Sequence, residues 1–519
     1  MGASRPRKVA IIGGGLTGIA SFWALQGSCF DVHLFEASST LGGHMKTLLL
    51  ESSGNQIQVD MELPTFNPNA CPNLASLLRY LRIPTTPIPF SFGVLDETSV
   101  FKWHISIWKS ILLCPRILCK LETYRLLMDV ISLRWLGVDV LTKPTSGGAD
   151  AQDSTESYLS DKGYSDCFRD RYLTPLLSTL WRTNMGRFLP SLPVKALAHS
   201  LNDHQLLSTC QTMPEWRRID PGVRHLIDTM ARDFSLEKLH LQTKVNEITR
   251  RSKSQYDLVT SEGNHTHFDQ IILTVDGHEI LRLLGPTVTA EEKGVLQCLG
   301  VTRNIAVLHS DHCVSRTYHL CPKSITDNAT CGYNFIVASR DHLQPDFVAP
   351  KSCLRYNVNV LQDIPASRFG DVFITLNSLS PPHPSLVQGV WEFTEPEPSA
   401  ESLDAQARLI FIQNTRGLSY GFCWTGRGIL EDAITSGLRM AIALGAAVPF
   451  NVVFHPQPLD STGFLNTRSR LRQNLVKTTV QAIRALVLVL EIILILLGAI
   501  HSPGSKVRAR LTLSRALRA

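Results

Sequence analysis

The clearest pattern of apolar and polar positions lies between residues 8 and 36. Residues 9–12 are uniformly apolar, which is typical of a strand buried on both faces of a parallel sheet. Apolar residues then recur from residue 16 to residue 23 with the i, i+3, i+4, i+7 spacing of one helix face. A second apolar run at residues 30–35 predicts another strand. The stretch therefore predicts a strand–helix–strand unit.

The turn between the first strand and the helix carries three glycines with G-x-G-x-x-G spacing. Gly13 suits a tight turn, Gly15 lets the backbone approach a pyrophosphate, and Gly18 allows the helix to pack closely on the strand. The helix N-terminus behind them favours an anion. Glu36 follows Gly18 by 18 residues, where a carboxylate accepts both ribose hydroxyls and disfavours a 2′-phosphate. These residues predict an adenine dinucleotide, either NAD or FAD, rather than NADP.

A second glycine pair, Gly42 and Gly43, follows this acid closely. Glycines there let the backbone pass close to a large ligand, and a simple loop with two permissive residues is the alternative interpretation. His44 comes next and is the nearest candidate for a general base. A packing role in the cofactor loop is the alternative for this histidine.

Further along the chain the pattern changes several times. Residues 99–141 are rich in large apolar residues at mostly helical spacing, which predicts either covering helices of a substrate domain or a surface that dips into a membrane. Residues 143–157 are polar and rich in glycine and serine, which predicts a surface loop. Helical segments with prolines follow at 158–235, short strands at 238–275, and strand-like runs at 301–395.

Composition places this pattern in a globular protein with a basic tail. The chain has 519 residues, which is too long for one ordinary core and predicts two intertwined domains. Apolar residues make up 44% and charged residues 18%, so the chain is not of the disordered class. From Ser461 onward ten basic residues accompany one acid, so this tail carries +9 and leaves −3 for the rest of a chain with net charge +6. Because the body is mildly acidic, no nucleic-acid partner is predicted.

The tail also contains a candidate membrane segment. Residues 482–500 are apolar except for Arg484 and Glu491, which lie seven positions apart and share one helix face. As a helix they would span about 28 Å, close to the roughly 30 Å hydrocarbon core of a bilayer. A single spanning anchor is the first prediction, an in-plane amphipathic anchor with basic flanks is the second, and a soluble helix is the third.

The N-terminal residues and the cysteines indicate the cellular compartment. No secretory signal precedes the first strand, so the catalytic body is predicted to face the cytosol while the anchor holds it at a membrane. The twelve cysteines show neither C-x-x-C nor zinc-ligand spacing, and free thiols are expected. No metal site, Ser-His-Asp order or glycosidase-like pair of carboxylates is predicted.

Several segments, in order along the chain, resemble the flavin-containing amine oxidoreductase superfamily. The first is EASSTLGGHMKT, which begins at Glu36, and the last is GRGILEDAITSGLRMAIALGA at residues 426–446. More narrowly, the chain resembles a subgroup of NAD/FAD-binding proteins often associated with cyclopropane fatty acid synthases. The resemblance implies FAD, held non-covalently. The other matching segments lie at residues 59–84, 169–181, 267–279, 303–311, 356–365 and 373–377.

The resemblance also implies a second half of the cofactor site, far along the chain. Val245 would place its backbone against the adenine ring, and Gly426 and Gly428 would let the backbone approach the ligand. The helix that follows would direct its N-terminus at the ribityl chain, with Glu431 or Asp432 bonding the ribityl hydroxyls. An ordinary strand valine and an acidic helix N-cap are the alternative interpretations.

Two more catalytic candidates come from the same resemblance. Asn359, with Leu361 and Gln362, matches a motif that would face the flavin ring, and a satisfied buried amide is the alternative. Trp424 keeps an aromatic ring near the expected flavin edge, and a core tryptophan is the alternative.

Three positions depart from the pattern of the subgroup. Phe422 stands where a small glycine is usual, Arg427 stands where an aromatic residue is usual, and Leu430 stands where a histidine is usual. These departures bear on the substrate more than on the cofactor.

We therefore predict an α/β fold. It combines a Rossmann-like FAD-binding domain of the amine oxidase or glutathione reductase type, an interleaved α+β substrate domain and a C-terminal membrane helix. The predicted boundaries are 1–98, 236–300 and 401–450 for the FAD-binding parts, 99–235 for the helical substrate part, 301–400 for its antiparallel sheet, 451–477 for a basic linker, 478–501 for the anchor and 502–519 for a basic tail.

The predicted function is that of a membrane-attached FAD-dependent oxidoreductase. Flavin carries the hydride, so the protein supplies orientation, dry surroundings and electrostatics. The substrate is an amine or a lipophilic molecule that loses a hydride from carbon, and O₂ or another acceptor takes the electrons. A catalytically silent flavin-binding membrane scaffold and an NAD-dependent dehydrogenase are the alternatives. The sequence leaves the oligomeric state open.

Overall fold

The fold is known from a computed structural model. The described residues are 6–52, 54–62, 65–96, 99–104, 121–136, 140, 154–207, 215–252, 255–311, 331–337, 352–422 and 430–454, with isolated residues between 475 and 493.

The elements are numbered in chain order. The strands are β1 (Lys8–Ile12), β2 (Asp31–Phe35), β3 (Thr47–Ser52), β4 (Asn55–Asp60), β5 (Thr65–Phe66), β6 (Thr85–Ile88), β7 (Ser91–Asp96), β8 (Ser99–His104), β9 (Trp216–Ile219), β10 (Leu239–His240), β11 (Val245–Ser252), β12 (Gln255–Thr260), β13 (His265–Phe268), β14 (Gln270–Leu273), β15 (Val301–His309), β16 (Tyr333–Val337), β17 (Ser352–Asn357), β18 (Phe373–Leu376), β19 (Val387–Pro396) and β20 (Leu418–Tyr420). The α-helices are α1 (Leu16–Leu25), α2 (Pro72–Tyr80), α3 (Leu121–Leu136), α4 (Thr155–Asp161), α5 (Asp166–Phe168), α6 (Thr174–Trp181), α7 (Val194–Asp203), α8 (Val223–Ala231), α9 (Gly277–Leu284), α10 (Ala290–Leu296), α11 (Val358–Gln362), α12 (Ala366–Phe369), α13 (Ala400–Arg408) and α14 (Leu430–Ala443).

A five-stranded parallel sheet forms the cofactor side of the molecule, in the order β10-β2-β1-β14-β20. Its strand β1 lies in the middle and is buried on both faces, as its uniform apolar run predicts. Val9 and Ile11 belong to the core beneath α1 and α14, whereas Ala10 and Ile12 belong to the core shared with β11–β13 and α9. The predicted Rossmann-like unit is confirmed.

Helix α14 packs against α1, so two segments that lie more than 400 residues apart in the chain are in contact. Gly437 makes the close approach possible, because a Cβ atom there would lie 2.4 Å from the carbonyl oxygen of Thr17. The Ser21 hydroxyl donates across the same contact to the Gly437 carbonyl at 3.1 Å. The helix predicted at this position is therefore part of the cofactor domain.

A seven-stranded sheet forms the second half of the molecule, in the order β19-β15-β18-β17-β16-β7-β8. All of its pairings are antiparallel except that of β16 with β7. Helices α3 to α7 share one apolar core with this sheet. The predicted antiparallel sheet is confirmed, and β7 and β8 extend it from a part of the chain far upstream.

Residues 99–104 differ from the sequence prediction. They form strand β8, although the apolar spacing predicted a helix from residue 99 onward. Each residue of β8 pairs with a residue of β7, and Trp103 is buried opposite Phe92. Pairing with a neighbouring strand thus outweighs a local helical pattern. The helical prediction holds for α3, while residues 105–120 and most of the loop at 143–157 lie outside the described residues.

The membrane helix of the prediction finds no support. Within the described part of the chain, no helix has both the length and the hydropathy of a membrane span. Most of the segment 482–500 lies outside the described residues, because only single positions and short runs of it are described.

Candidate flavin site and an adjoining charged cluster

The glycine turn after β1 forms a cradle too tight for side chains. Gly13 has φ +111°, and a Cβ atom there would lie 2.7 Å from the Thr274 hydroxyl oxygen. A Cβ atom on Gly18 would lie only 1.9 Å from the Gly13 carbonyl oxygen. The Thr274 hydroxyl links the turn to the end of β14 by hydrogen bonds of 2.9 Å to the carbonyls of Ile12 and Gly13. The turn is thus held rigid by its own backbone and by β14.

Helix α1 begins at this cradle and leaves its first N–H groups available. Gly15 is the residue before the helix, and no side chain caps this end. A Cβ atom built on Gly15 would meet nothing within 4 Å, so the turn borders an open space here. Backbone donors at a helix N-terminus beside an open space fit a pyrophosphate.

Glu36 lies beside the same turn. Its two carboxylate oxygens accept hydrogen bonds from the backbone N–H groups of Gly14 at 2.6 Å and Ser38 at 2.7 Å. The side chain is half-buried, and each oxygen keeps a second lone pair. The carboxylate is therefore fixed in place and can still accept ribose hydroxyls.

The second glycine pair packs directly on the first turn. The Gly42 N–H donates to the Gly14 carbonyl at 2.9 Å, and Gly42 has φ +128°. Gly43 has φ +59°, and a Cβ atom there would lie 3.0 Å from the Gly15 Cα atom. The structure thus brings both glycine groups into one cradle.

Val245 and His44 belong to segments that adjoin this cradle in the chain or through hydrogen bonds. Val245 is buried at the start of β11, two residues after Thr243, whose N–H donates to the Glu36 carbonyl at 2.9 Å. His44 is exposed and near enough to Asp276 to act electrostatically on its carboxyl group. Burial raises the pKa of Asp276, and the nearby His44 lowers it in part.

Glu431, one of the two acids predicted to bond the ribityl hydroxyls, binds the N-terminal end of α2. Its carboxylate accepts hydrogen bonds from the N–H groups of Asn73 at 2.9 Å and Leu74 at 2.8 Å, at the start of α2. Burial raises its pKa to about 7, and these backbone donors oppose the shift. Because Glu431 binds the end of α2, the half-buried Asp432 becomes the candidate for the ribityl hydroxyls.

Asn359 serves the neighbouring loop. Its amide donates to the carbonyls of Ile364 and Gly370, both at 3.0 Å, and accepts from the Val372 N–H at 2.7 Å. Both amide donors are therefore occupied, and this geometry gives a catalytic role no support. Gln362 instead exchanges two hydrogen bonds with the backbone of Asp60 and so joins the substrate sheet to the cofactor side.

Four residues singled out between positions 424 and 428 lie outside the described residues, namely Trp424, Gly426, Arg427 and Gly428. Phe422 and Leu430 flank this segment and are both buried in apolar cores.

The structure also reveals a cluster that the sequence pattern did not indicate. Glu62, Arg182 and Glu395, called the charged cluster below, lie at the junction of the cofactor side and the substrate sheet. An Arg182 Nη1 atom lies 3.3 Å from Glu62 Oε2. The tyrosines Tyr333 and Tyr356 lie beside it on paired strands, with ring centroids 5.6 Å apart and planes at 87°.

Burial controls the ionisation of this cluster. Burial raises the pKa of Glu395 well above its usual range, and the neighbouring Glu62 carboxylate adds to the rise. Burial lowers the pKa of Arg182, but Glu62 and Glu395 outweigh it and raise this pKa overall. The cluster therefore pairs Glu62 with Arg182, whereas burial disfavours the charged form of Glu395. Its members are 120 and more positions apart in the chain, so no local spacing could reveal them.

Two family models match the chain. Residues 11–81 match the NAD(P)-binding Rossmann-like domain, and residues 158–309 match the flavin containing amine oxidoreductase family. These matches support the resemblance to the flavin-containing amine oxidoreductase superfamily. They indicate a flavin-dependent oxidoreductase with FAD as its cofactor, and the glycine cradle and Glu36 fit that cofactor.

Several solved structures share the fold. Cyclohexylamine oxidase from Brevibacterium oxydans IH-35A has 14% identity and a TM-score of 0.57, over 85% of this chain and 99% of that one. Wild-type putrescine oxidase bound to putrescine has 12% identity and a TM-score of 0.56, over 85% and 99%. A fatty acid isomerase from P. acnes has 14% identity and a TM-score of 0.57, over 85% and 100%. At such identities the likeness shows the fold alone. No curated protein matches the chain.

Proposed function

We propose that this protein oxidises a small-molecule amine by removing a hydride from a carbon next to nitrogen. The observation that carries the proposal is the direct junction between the FAD cradle and the substrate sheet. Asp60 exchanges two backbone hydrogen bonds with Gln362, and the hydroxyl group of Thr65 in β5 is hydrogen-bonded to that of Tyr333 in the substrate sheet. Two structural neighbours, cyclohexylamine oxidase and putrescine oxidase, carry names that are consistent with an amine substrate.

The residues of the chain have distinct tasks in this proposal. FAD, when bound, supplies the hydride acceptor. Gly13 and Gly15 with the start of α1 hold its pyrophosphate, and Glu36 holds a ribose. Asp432 orients the ribityl chain. Buried aromatic side chains of the substrate sheet exclude water, which strengthens electrostatic interactions with a bound substrate.

Anaerobic reduction of the purified protein tests the proposal. We expect the bound flavin to bleach with at least one member of a panel of primary and secondary amines, and not with alcohols of the same carbon skeletons. Bound flavin that no amine and no artificial donor reduces would instead favour the silent scaffold. Peroxide formation in air then identifies O₂ as an electron acceptor.

A lipophilic substrate that loses a hydride from an apolar carbon is the second candidate. The fatty acid isomerase among the structural neighbours and the apolar residues at 99–141 favour it. Flavin reduction by a long-chain fatty acid, but by no amine, would select this candidate.

Membrane attachment through residues 482–500 is a separate proposal. Five described apolar residues of this stretch are exposed, which supports contact with lipid, namely Ile483, Leu486, Val489, Leu490 and Ile493. The test compares the full chain with a variant ending at residue 474 in a carbonate extraction of membranes. Loss of both proteins to the soluble fraction would contradict the proposal.

A further inference from the structure

Two histidines connect the edge of the parallel sheet to its neighbouring strand. His33 lies in β2, and His240 lies in β10, which is the edge strand of this sheet. The Nδ1 atom of His33 is 3.0 Å from the Nε2 atom of His240, and the two ring planes are inclined by only 11°. The contact is therefore a hydrogen bond between the two rings.

The edge strand β10 is very short. It consists of Leu239 and His240, which pair with Leu34 and Phe35 of β2. The His240 ring also lies on the ring of Phe35, with centroids 4.5 Å apart. Because a two-residue strand has few ladder hydrogen bonds, the bond between the histidine rings is a large part of what fixes its position.

The chain that leaves β10 surrounds the residue proposed to hold a ribose. The Glu36 N–H donates to the His240 carbonyl, and the Thr243 N–H donates to the Glu36 carbonyl, both at 2.9 Å. Two residues after Thr243 comes Val245, whose backbone is expected to lie against the adenine ring. Residues 239–245, called the edge segment below, thus border the adenosine half of the proposed FAD site.

A hydrogen bond between two histidines depends on their protonation. While both rings are neutral, or while only one of them has taken up a proton, one ring nitrogen donates and the other accepts. When both rings are protonated, two N–H groups and two positive charges face each other, so the bond is lost. The bond therefore breaks only when the second ring is protonated.

Charged groups near the pair determine which ring is protonated second. Asp31 Oδ1 lies 3.4 Å from the Nε2 atom of His33 and 3.1 Å from Lys238 Nζ, and Glu262 acts on His240 from the turn between β12 and β13. Because Asp31 stabilises a positive charge on His33, the second proton goes to His240. Burial lowers the pKa of His240 from its usual 6.5, the neighbouring His33 adds to this shift, and Glu262 opposes it.

We propose that His240, through its hydrogen bond to His33, positions the adenosine half of FAD, and that protonation of both rings weakens FAD binding. The inference rests on the proposed placement of FAD at the glycine cradle and Glu36. A neutral His240 keeps the edge segment against β2, so bound FAD disfavours the second proton. FAD affinity should then fall as the pH falls below about 6.5, and FAD that binds at acidic pH should release up to one proton to solvent.

The pH dependence of FAD binding to the full-length apoprotein tests this inference. We expect the dissociation constant, measured by quenching of flavin fluorescence, to rise about 5-fold or more between about pH 7.5 and pH 5. Calorimetry at about pH 5.5, in buffers of different ionisation enthalpy, should show that FAD binding releases a fraction of a proton. A dissociation constant that stays the same over this range in the wild type would overturn the inference.

His240→Gln is the variant that tests the histidine itself. Glutamine keeps a neutral donor and acceptor but takes up no proton in this range, so the 5-fold rise should shrink to less than about 2-fold. His265→Gln, at an exposed position of β13, is the matched control and should keep the wild-type pH profile. Equal rises in the wild type and in His240→Gln would show that other groups, such as Glu36 or His44, cause the dependence.

A second variant, His33→Gln, covers the case in which His240→Gln does not fold. An amide oxygen accepts from a charged His240 as well as from a neutral one, so His33→Gln should flatten the pH profile too. Urea unfolding at about pH 7.5 shows whether each variant is folded. A folded His33→Gln protein with the wild-type pH profile would contradict the inference.

The same binding assay separates this inference from the proposed function. Glu36→Ala should bind FAD about 10-fold or more weakly at neutral pH, and wild-type affinity in this variant would contradict the proposed cofactor site. A weakened Glu36→Ala, together with a wild-type pH profile in His240→Gln, would keep the cofactor site and reject the role of the histidines. Because no substrate is added, none of these outcomes depends on amine oxidation.

Discussion

At the scale of single residues, the cofactor cradle depends on glycines for different reasons. Gly18 has no room for a Cβ atom inside the protein, because the Gly13 carbonyl oxygen would be 1.9 Å away. Gly15 has room inside the protein, and its missing side chain leaves space on the open side. Gly18 is therefore required for the packing of the fold, whereas Gly15 is required to leave room for the ligand.

Substitution by alanine should separate these two roles. We expect Gly15→Ala to fold with a free energy of unfolding within about 0.5 kcal/mol of the wild-type apoprotein but to lose most of its FAD. Gly18→Ala should instead lose about 2 kcal/mol or more, because overpacking strains the turn. Flavin content and urea unfolding measure the two effects. Gly294→Ala, in α10 with nothing within 4 Å of the new Cβ, is the control and should bind FAD normally.

Glu431 gives a prediction about pH. Its folded-state pKa is about 7 against an ordinary 4.5, so the folded protein holds this proton more tightly than the unfolded chain does. The free energy of unfolding should then fall as pH rises from about 4.5 to 7, by at most about 3 kcal/mol from this group. Glu431→Gln should lack that part of the fall. Equal pH slopes for both proteins in urea titrations would contradict the prediction.

At the scale of elements, a buried ion pair fastens α10 to the segment before β20. Arg416 donates to both carboxylate oxygens of Glu292 at 2.7 and 2.6 Å, and Tyr420 donates to one of them at 2.8 Å. Glu292 is only 1% exposed, so water cannot replace these partners. These hydrogen bonds thus hold strand β20, at the edge of the parallel sheet, against helix α10.

Breaking this pair should cost more than breaking an exposed one. We expect Glu292→Gln to lower the free energy of unfolding by about 3 kcal/mol, because it leaves Arg416 without its countercharge. Glu279→Gln, which breaks the exposed pair with Arg282 in α9, should cost less than about 1 kcal/mol. Thermal unfolding of the two variants compares them, and equal losses would show that burial does not set the cost.

Elements formed by nearby residues were predictable, and pairings between distant ones were not. The run from β1 to β2 follows from local apolar spacing and from the glycines of the turn, and the structure confirms it. Strand β8 was predicted as a helix, because its pairing with β7 is tertiary information. The charged cluster had no signal at all, since Glu62, Arg182 and Glu395 come from three distant segments.

At the scale of the whole molecule, the proposed FAD-binding half of the fold is built from segments that are far apart in the chain. The cradle comes from the first 43 residues, whereas β20 and α14 come from residues after 417. We expect FAD at 100 times its dissociation constant to raise the free energy of unfolding by about 2.7 kcal/mol. Thermal unfolding with and without FAD measures the rise, and Gly15→Ala should show little of it. An equal rise in that variant would mean that FAD binds elsewhere.

The order of strands in the parallel sheet has a consequence for synthesis on the ribosome. The strands β1 and β2 emerge early, but β20 and the helix that covers them through Gly437 emerge some 400 residues later. At a translation rate of about 5–20 residues per second, the apolar surface of β1 and β2 stays uncovered for roughly 20–80 s. Newly made chains should therefore depend on chaperones during this interval, and slow elongation should increase their aggregation.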